Sequence, residues 1–92
     1  MAKLDITPPL GTPLEGYWYL RPATGVLDPL FARALVLAAG DCIAAIVSVD
    51  ICLLPWDWLA EPAQVVARRS GVPQDGLFVA CSHTHTGPAT GR

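Results

Sequence analysis

Two apolar runs on either side of a helix-length segment constrain the fold of this chain more than any other feature. Residues 42–50 (CIAAIVSVD) and residues 77–81 (LFVAC) have the length and composition of buried β-strands. The segment between them is long enough for one helix and its two connections. Because a strand, a helix and a second strand in that order form a crossover unit, the sequence predicts that the two strands are parallel.

The helix of this unit is predicted over residues 58–70. Pro62 is tolerated only in the first turn of a helix, which favours a start near residue 60. Gly71 directly follows the predicted last residue, a pattern typical of helix ends. The apolar stripe of the helix consists of Leu59, Ala63 and Val66.

A β-hairpin is predicted before the crossover unit. Residues 32–38 and 42–50 are both apolar, and Ala39-Gly40-Asp41 between them has the length and the glycine of a hairpin turn. The nearly continuous apolarity of the second strand predicts burial on both of its faces.

The first 28 residues are rich in proline and glycine, so we expect an irregular segment laid across a larger body. Three adjacent aromatic residues argue against a disordered linker, and they either pack or, for one of them, face a substrate. These residues are Tyr17, Trp18 and Tyr19.

The predicted fold class is therefore α/β: an irregular N-terminal segment, a β-hairpin, then a βαβ unit that ends in a His-x-His motif. Hydrophobic residues make up 52% of the chain and charged residues only 15%. Small domains have much surface to cover with polar groups. We therefore expect an incomplete piece of a larger α/β domain, residues 1–92 being an N-terminal fragment that packs against the remainder of its own domain.

Charge and hydropathy exclude several classes of partner. The net charge of −2 gives no basic patch for nucleic acid. No transmembrane segment is expected, because Arg33, Asp41 and Asp50 interrupt the most apolar region. The first residues do not resemble a signal peptide, so the chain as written is expected in the cytoplasm, or outside the cell if the true N-terminus lies upstream.

The three cysteines have no C-x-x-C spacing, which favours small buried thiols in a reducing compartment. They are Cys42, Cys52 and Cys81. Strand alternation would place Cys81 on the face of His83, two residues later, so a zinc–thiolate role for Cys81 stays open.

The chain's two histidines, His83 and His85, directly follow the last predicted strand. If the extended conformation continues through them, both imidazoles point to the same face, as a metal site or a proton-transfer site requires. Asp50 ends the neighbouring parallel strand and is expected at the same edge of the sheet. Asp50, Ser82 and Thr84 are candidate groups for orienting the imidazoles. The alternative roles are a strand-end or capping carboxylate for Asp50 and turn or capping roles for the histidines.

Several stretches, in order along the chain, together resemble the N-terminal part of the neutral/alkaline non-lysosomal ceramidase family. They are Asp5-Ile6-Thr7-Pro8-Pro9, Gly16-Tyr17, residues 32–37 (ARALVL), residues 47–50 (VSVD) and Ser82-His83-Thr84-His85-Thr86-Gly87-Pro88. The last motif is the most specific of them.

The resemblance implies a zinc-dependent amidase that hydrolyses the N-acyl bond of ceramide or a related lipid or small-molecule N-acyl compound, by means of a metal-activated water. It implies that His83 is a zinc ligand and that His85 is a catalytic residue that contacts the substrate or the nucleophilic water. The family's other zinc ligands, a second ligating histidine, a glutamate and a tyrosine, would lie beyond Arg92. The isolated chain is therefore expected to be inactive.

A different class of function also fits the composition. The chain could be a noncatalytic fragment or interaction module that docks on a partner through its apolar surface.

Overall fold

The computed structural model describes residues 1–91, which form six strands and one α-helix. The strands are β1 (Ala2–Asp5), β2 (Pro13–Leu14), β3 (Arg21–Pro22), β4 (Phe31–Ala39), β5 (Cys42–Val49) and β6 (Leu77–Cys81), and the helix is α1 (Ala60–Ser70). Short 3₁₀ helices at Trp56–Leu59 and Gln74–Gly76 flank α1.

Four of the strands form one mixed sheet in the order β1-β4-β5-β6, and β2 and β3 form a separate two-stranded ribbon. β4 pairs antiparallel with both β1 and β5, whereas β5 and β6 are parallel. The predicted mixture of helix and strands and the parallel pairing of the crossover unit are confirmed. Parallel pairing brings the last residues of β5 and β6 to the same edge of the sheet, with Val49 opposite Cys81.

The hairpin forms as predicted, but its turn is shorter than the sequence suggested. Ala39 pairs with Cys42, which leaves only Gly40 and Asp41 in the loop. Gly40 has φ +57°, a left-handed conformation that a two-residue hairpin turn demands and that glycine adopts without steric cost.

The helix begins at Ala60 and places Pro62 in its first turn, as predicted, because proline lacks the N–H that later turns need. The residues just before it form the 3₁₀ turn rather than α-helix. Gly71 ends the helix in a left-handed conformation with φ +77° and donates its N–H to the carbonyl of Ala67.

The prediction of an irregular N-terminal segment is wrong for its first residues. β1 pairs with residues 31–34 of β4 as the outer strand of the main sheet. The pairing continues past the strand, because Ile6 donates its N–H to the carbonyl of Leu30, and the Thr7 hydroxyl accepts the N–H of Leu30. The local sequence does not favour a strand here. The segment is nevertheless extended, because it forms hydrogen bonds with the otherwise unpaired edge of β4.

Burial of β5 on both faces was predicted and is also wrong. Ala45 is buried on one face, but Ile46, on the other, keeps 45% of its surface exposed. Leu35, Ile46 and Phe78 are directly opposite one another on β4, β5 and β6, and all three are exposed. The described residues therefore cover one face of the sheet better than the other.

Within residues 1–91, no helix has the length and apolar character needed to cross a membrane.

Candidate metal centre

Residues 82–86 form the histidine loop, and its first two residues extend the pairing between β5 and β6. Beyond the end of β6, Ser82 donates its N–H to the carbonyl of Val49 at 3.0 Å, and His83 donates to the carbonyl of Ile51 at 3.1 Å. His83 then adopts a left-handed conformation with φ 62°. Such a φ is uncommon for residues other than glycine, and it turns the chain out of the strand direction.

The expected extended conformation through His85 is therefore wrong, yet the two imidazoles do meet. Their ring centroids are 5.0 Å apart, and the planes are inclined at 74°. The Cys52 thiol lies beside them, and one ligand atom from each of Cys52, His83 and His85 falls within 4.8 Å of the others. This group could hold a metal ion.

The backbone of Cys52 orients the ring of His83. The Nδ1 atom of His83 lies 2.8 Å from the Cys52 carbonyl oxygen, and because a carbonyl only accepts, Nδ1 must carry the proton. The other nitrogen, Nε2, then has its lone pair available. Metal-bound histidines commonly donate the second ring N–H to a backbone carbonyl in this way. The Cys52 Sγ atom is 3.6 Å from the same Nδ1.

His85 is held by the N-terminal part of the chain. Arg21 donates from Nη2 to the His85 carbonyl at 3.1 Å, and the Tyr17 ring meets the imidazole edge-on at a centroid distance of 5.9 Å. Gly16 packs against the same residue so closely that a Cβ atom there would stand 2.7 Å from the His85 Cα. Of the three adjacent aromatic residues, Tyr17 therefore faces the histidines, while Trp18 is fully exposed.

Asp50 has its main contacts on β4. Its Oδ2 accepts the backbone N–H of Phe31 at 2.9 Å and forms an ion pair with Arg33 at 3.0 Å. Foremost the Phe31 N–H, and then hydrogen bonds from Arg33 and Ser82, hold the pKa of Asp50 below its usual value. Through Ser82, Asp50 reaches the residue before His83. Its role in orienting the imidazole stays a prediction.

The hydroxyl of Thr84 contacts the hydroxyl of Thr86 at 3.1 Å and also accepts the Thr86 N–H. These bonds shape the turn that separates the two histidines. The group that orients the His83 ring is instead the Cys52 carbonyl.

The cysteines differ in burial, contrary to the prediction that all three are buried. Cys42 is exposed, Cys52 is buried and Cys81 is half-buried. Burial raises the pKa of the Cys81 thiol, and the Cys52 thiol nearby adds to the effect. A protonated thiol is a poor metal ligand. Among residues 1–91 the cysteine near the histidines is Cys52, which sequence reasoning did not assign to the site.

A buried carboxylate fastens the chain that follows the histidine loop. Glu15 is only 5% exposed, and its Oε2 accepts the N–H groups of Thr90 at 2.9 Å and of Gly91 at 3.1 Å. The Thr90 hydroxyl in turn donates to the carbonyl of Leu53. Glu15 was also missed, because a single glutamate in a loop carries no sequence signal of burial.

Comparison of the chain with protein-family models, curated proteins and solved structures finds no significant match.

The contact between Gly16 and His85 can be tested with a substitution that adds one methyl group. In Gly16→Ala the new Cβ must displace His85, so the imidazole resonances of His85 should shift and its nuclear Overhauser contacts to Tyr17 should weaken. Gly11→Ala is the matched control. Gly11 also has a positive φ, +87° against +105° for Gly16, but open space surrounds it. Unchanged His85 resonances in Gly16→Ala would contradict the contact.

The Asp50 carboxylate should make stability depend on pH. The pKa of Asp50 in the folded protein lies below the unfolded value of about 3.9. The carboxylate therefore contributes fully to the free energy of unfolding above about pH 3.9, and this contribution disappears as the pH falls through the folded pKa. Asp50→Asn keeps an oxygen acceptor for Phe31 but loses the charge. In urea unfolding, wild type should therefore exceed this variant in stability at pH 6, and the difference should shrink towards pH 3. A difference independent of pH would contradict the assigned charge interaction.

Proposed function

We propose that His83 binds a zinc ion, that His85 acts beside it as a catalytic residue, and that this chain supplies this part of the site of a zinc-dependent amide hydrolase. The observation that carries the proposal is the fixed tautomer of His83. Its Nδ1–H is engaged by the Cys52 carbonyl, so the lone pair of Nε2 is available to a metal, and a second imidazole lies next to this ring.

The donor set suits zinc. Zinc binds imidazole nitrogen at about 2.0–2.1 Å and thiolate sulfur at about 2.3 Å, which places tetrahedral ligands roughly 3.3–3.6 Å apart. The Cys52 Sγ lies at such a separation from His83 Nδ1, but this pair is not evidence for the site, because Nδ1 cannot bind a metal while it donates to the carbonyl. We therefore assign Nε2 of His83 as the ligand atom and the Cys52 carbonyl as the group that orients it.

Zinc in such a site lowers the pKa of a bound water to about 7 and polarises the carbonyl of an amide. The role that we propose for His85 is to hold or transfer a proton beside the zinc-bound water. Its ring is exposed, and its backbone is fixed by Arg21 and Gly16. One ring nitrogen of an imidazole can accept a proton while the other donates one, which suits His85 to this role.

The reaction class comes from the resemblance of the sequence to neutral ceramidases. On that basis the scissile bond is the N-acyl bond of ceramide or of a related N-acyl compound. The resemblance implies that the remaining zinc ligands follow residue 92 in the sequence.

Zinc binding tests the proposal. In competition with a chromophoric chelator, His83→Ala should weaken zinc binding at least about 100-fold, since even a residue that only orients a ligand is commonly worth 10–100-fold. Cys52→Ser should change affinity by less than about tenfold, because the carbonyl that orients His83 stays in place. Cys42→Ser, which alters an exposed thiol, is the control for that variant.

Unchanged zinc affinity in His83→Ala would overturn the proposed site. A large loss in Cys52→Ser would instead make the thiol a zinc ligand. In a chain extended to include the remaining ligands, His85→Ala should keep zinc and lose hydrolysis of an N-acyl substrate. Full turnover of His83→Ala in that chain would exclude the proposed mechanism.

A noncatalytic docking role is the second candidate, and the uncovered face of the sheet favours it. Leu35, Ile46 and Phe78 form an exposed apolar row across three strands, with 41%, 45% and 61% of their surfaces exposed. Single exposed apolar residues are ordinary, but a contiguous row on a sheet face is typical of surfaces that pack against other polypeptide.

Phe78→Lys tests this face. If the row binds polypeptide, wild type should associate as its concentration rises in sedimentation experiments, and the substitution should reduce that association. Trp56→Lys is the control, since Trp56 is 86% exposed but lies outside the sheet. A wild-type protein that stays monomeric over the whole concentration range, or equal effects of the two substitutions, would count against docking through the sheet.

A further inference from the structure

A cavity of about 670 Å³ opens beside the histidine loop. This volume is in the usual range for small-molecule sites. Thr84 and Thr86 of the histidine loop form one wall, and apolar side chains such as Leu14, Val26 and Leu30 form another. Arg21, which holds the His85 backbone, also lines it. The cavity therefore combines apolar surface with a cation close to the proposed metal centre.

Arg21 is a half-buried cation with unused capacity to donate hydrogen bonds. Its guanidinium stacks on the Tyr17 ring at 4.3 Å, and one donor, Nη2, bonds the His85 carbonyl. Its Nε is buried and has no hydrogen-bond partner within residues 1–91, where Arg21 also forms no ion pair. A partly desolvated guanidinium with a buried unpaired N–H is costly unless an anion compensates it.

Among residues 1–91, the one acidic residue that lines the cavity is Asp28, and it is exposed. Arg33, by comparison, already has an anionic partner, because it pairs with Asp50. Of these two arginines, only Arg21 lines the cavity.

We propose that Arg21 binds a carboxylate of the substrate and that the preferred substrates are N-acyl amino acids, with the acyl chain along the apolar wall. This rests on the proposed function for the amide chemistry. A guanidinium matches a carboxylate with two parallel hydrogen bonds. In an N-acyl amino acid one carbon atom separates the carboxylate from the amide nitrogen, so a carboxylate bound by Arg21, which bonds the His85 carbonyl, keeps the amide close to the histidine loop. Ceramide carries hydroxyl groups and no charge in that position.

The experiment compares two probes that differ only in charge, N-hexanoylglycine and N-hexanoylglycinamide. Binding of each to the 92-residue chain, treated with a chelator to remove metal, is followed by NMR titration. Wild type should bind the carboxylate at least about tenfold more tightly, since charge-assisted hydrogen bonds are roughly twice as strong as neutral ones. Arg21→Gln should bind the two probes equally, whereas Arg33→Gln should keep the preference.

The Arg21 Nε–H resonance provides a test that needs no substitution. It should move during titration with the carboxylate and stay in place with the amide. Equal affinity of wild type for both probes, a preference that survives in Arg21→Gln, or a silent Nε–H resonance would overturn the proposal. The assay contains no metal. A preference that persists when zinc binding proves absent would therefore leave the carboxylate site standing and remove only the proposed hydrolase function.

Discussion

Backbone pairing between β5 and β6 continues past the last residue of each strand, and the candidate metal centre depends on it. Two further hydrogen bonds, from Ser82 to Val49 and from His83 to Ile51, carry the chains in parallel for two more residues. They bring the Cys52 carbonyl within hydrogen-bond distance of the His83 ring. Segments that are about thirty residues apart in sequence thus form one site, at the sheet edge where α/β proteins commonly bind ligands.

The N-terminal residues close the site from the other side. An isolated bridge between Leu14 and Pro88 and a hydrogen bond from Ala89 to the Pro13 carbonyl align the two segments. Glu15 then fastens residues 90–91, and Gly16 lets the backbone approach His85. The proline- and glycine-rich composition predicted irregular structure. At Gly16, however, the glycine is needed because His85 leaves no room for a side chain.

The parts of the fold that could be predicted are those that depend on residue type and on the spacing of apolar residues. The hairpin, the helix with Pro62 in its first turn and Gly71 after its end, and the parallel strand pair follow from apolar runs and from the backbone limits of proline and glycine. The meeting of the two histidines was also expected, although it arises from a left-handed His83 and not from strand alternation.

The remainder could not be predicted, because it depends on groups that every residue carries or on distant contacts. Cys52 orients His83 through its backbone carbonyl, a group that every residue has and that the identity of residue 52 therefore does not reveal. The pairing of Ala2–Asp5 with β4 and the burial of Glu15 depend on segments that are remote in sequence. The exposed apolar row on the sheet face could not be recognised either, because an exposed apolar strand residue and a buried one give the same sequence pattern.

The distribution of the site over the chain has a consequence for folding. The hairpin closes through two residues, so its contacts cost little loop entropy and can form early. The site joins residues 16–21 with residues 52 and 83–85, and each of these closures spans more than thirty residues. Contacts of that separation form late in folding. A metal ion held at this centre would therefore bind only a chain whose distant segments have already come together.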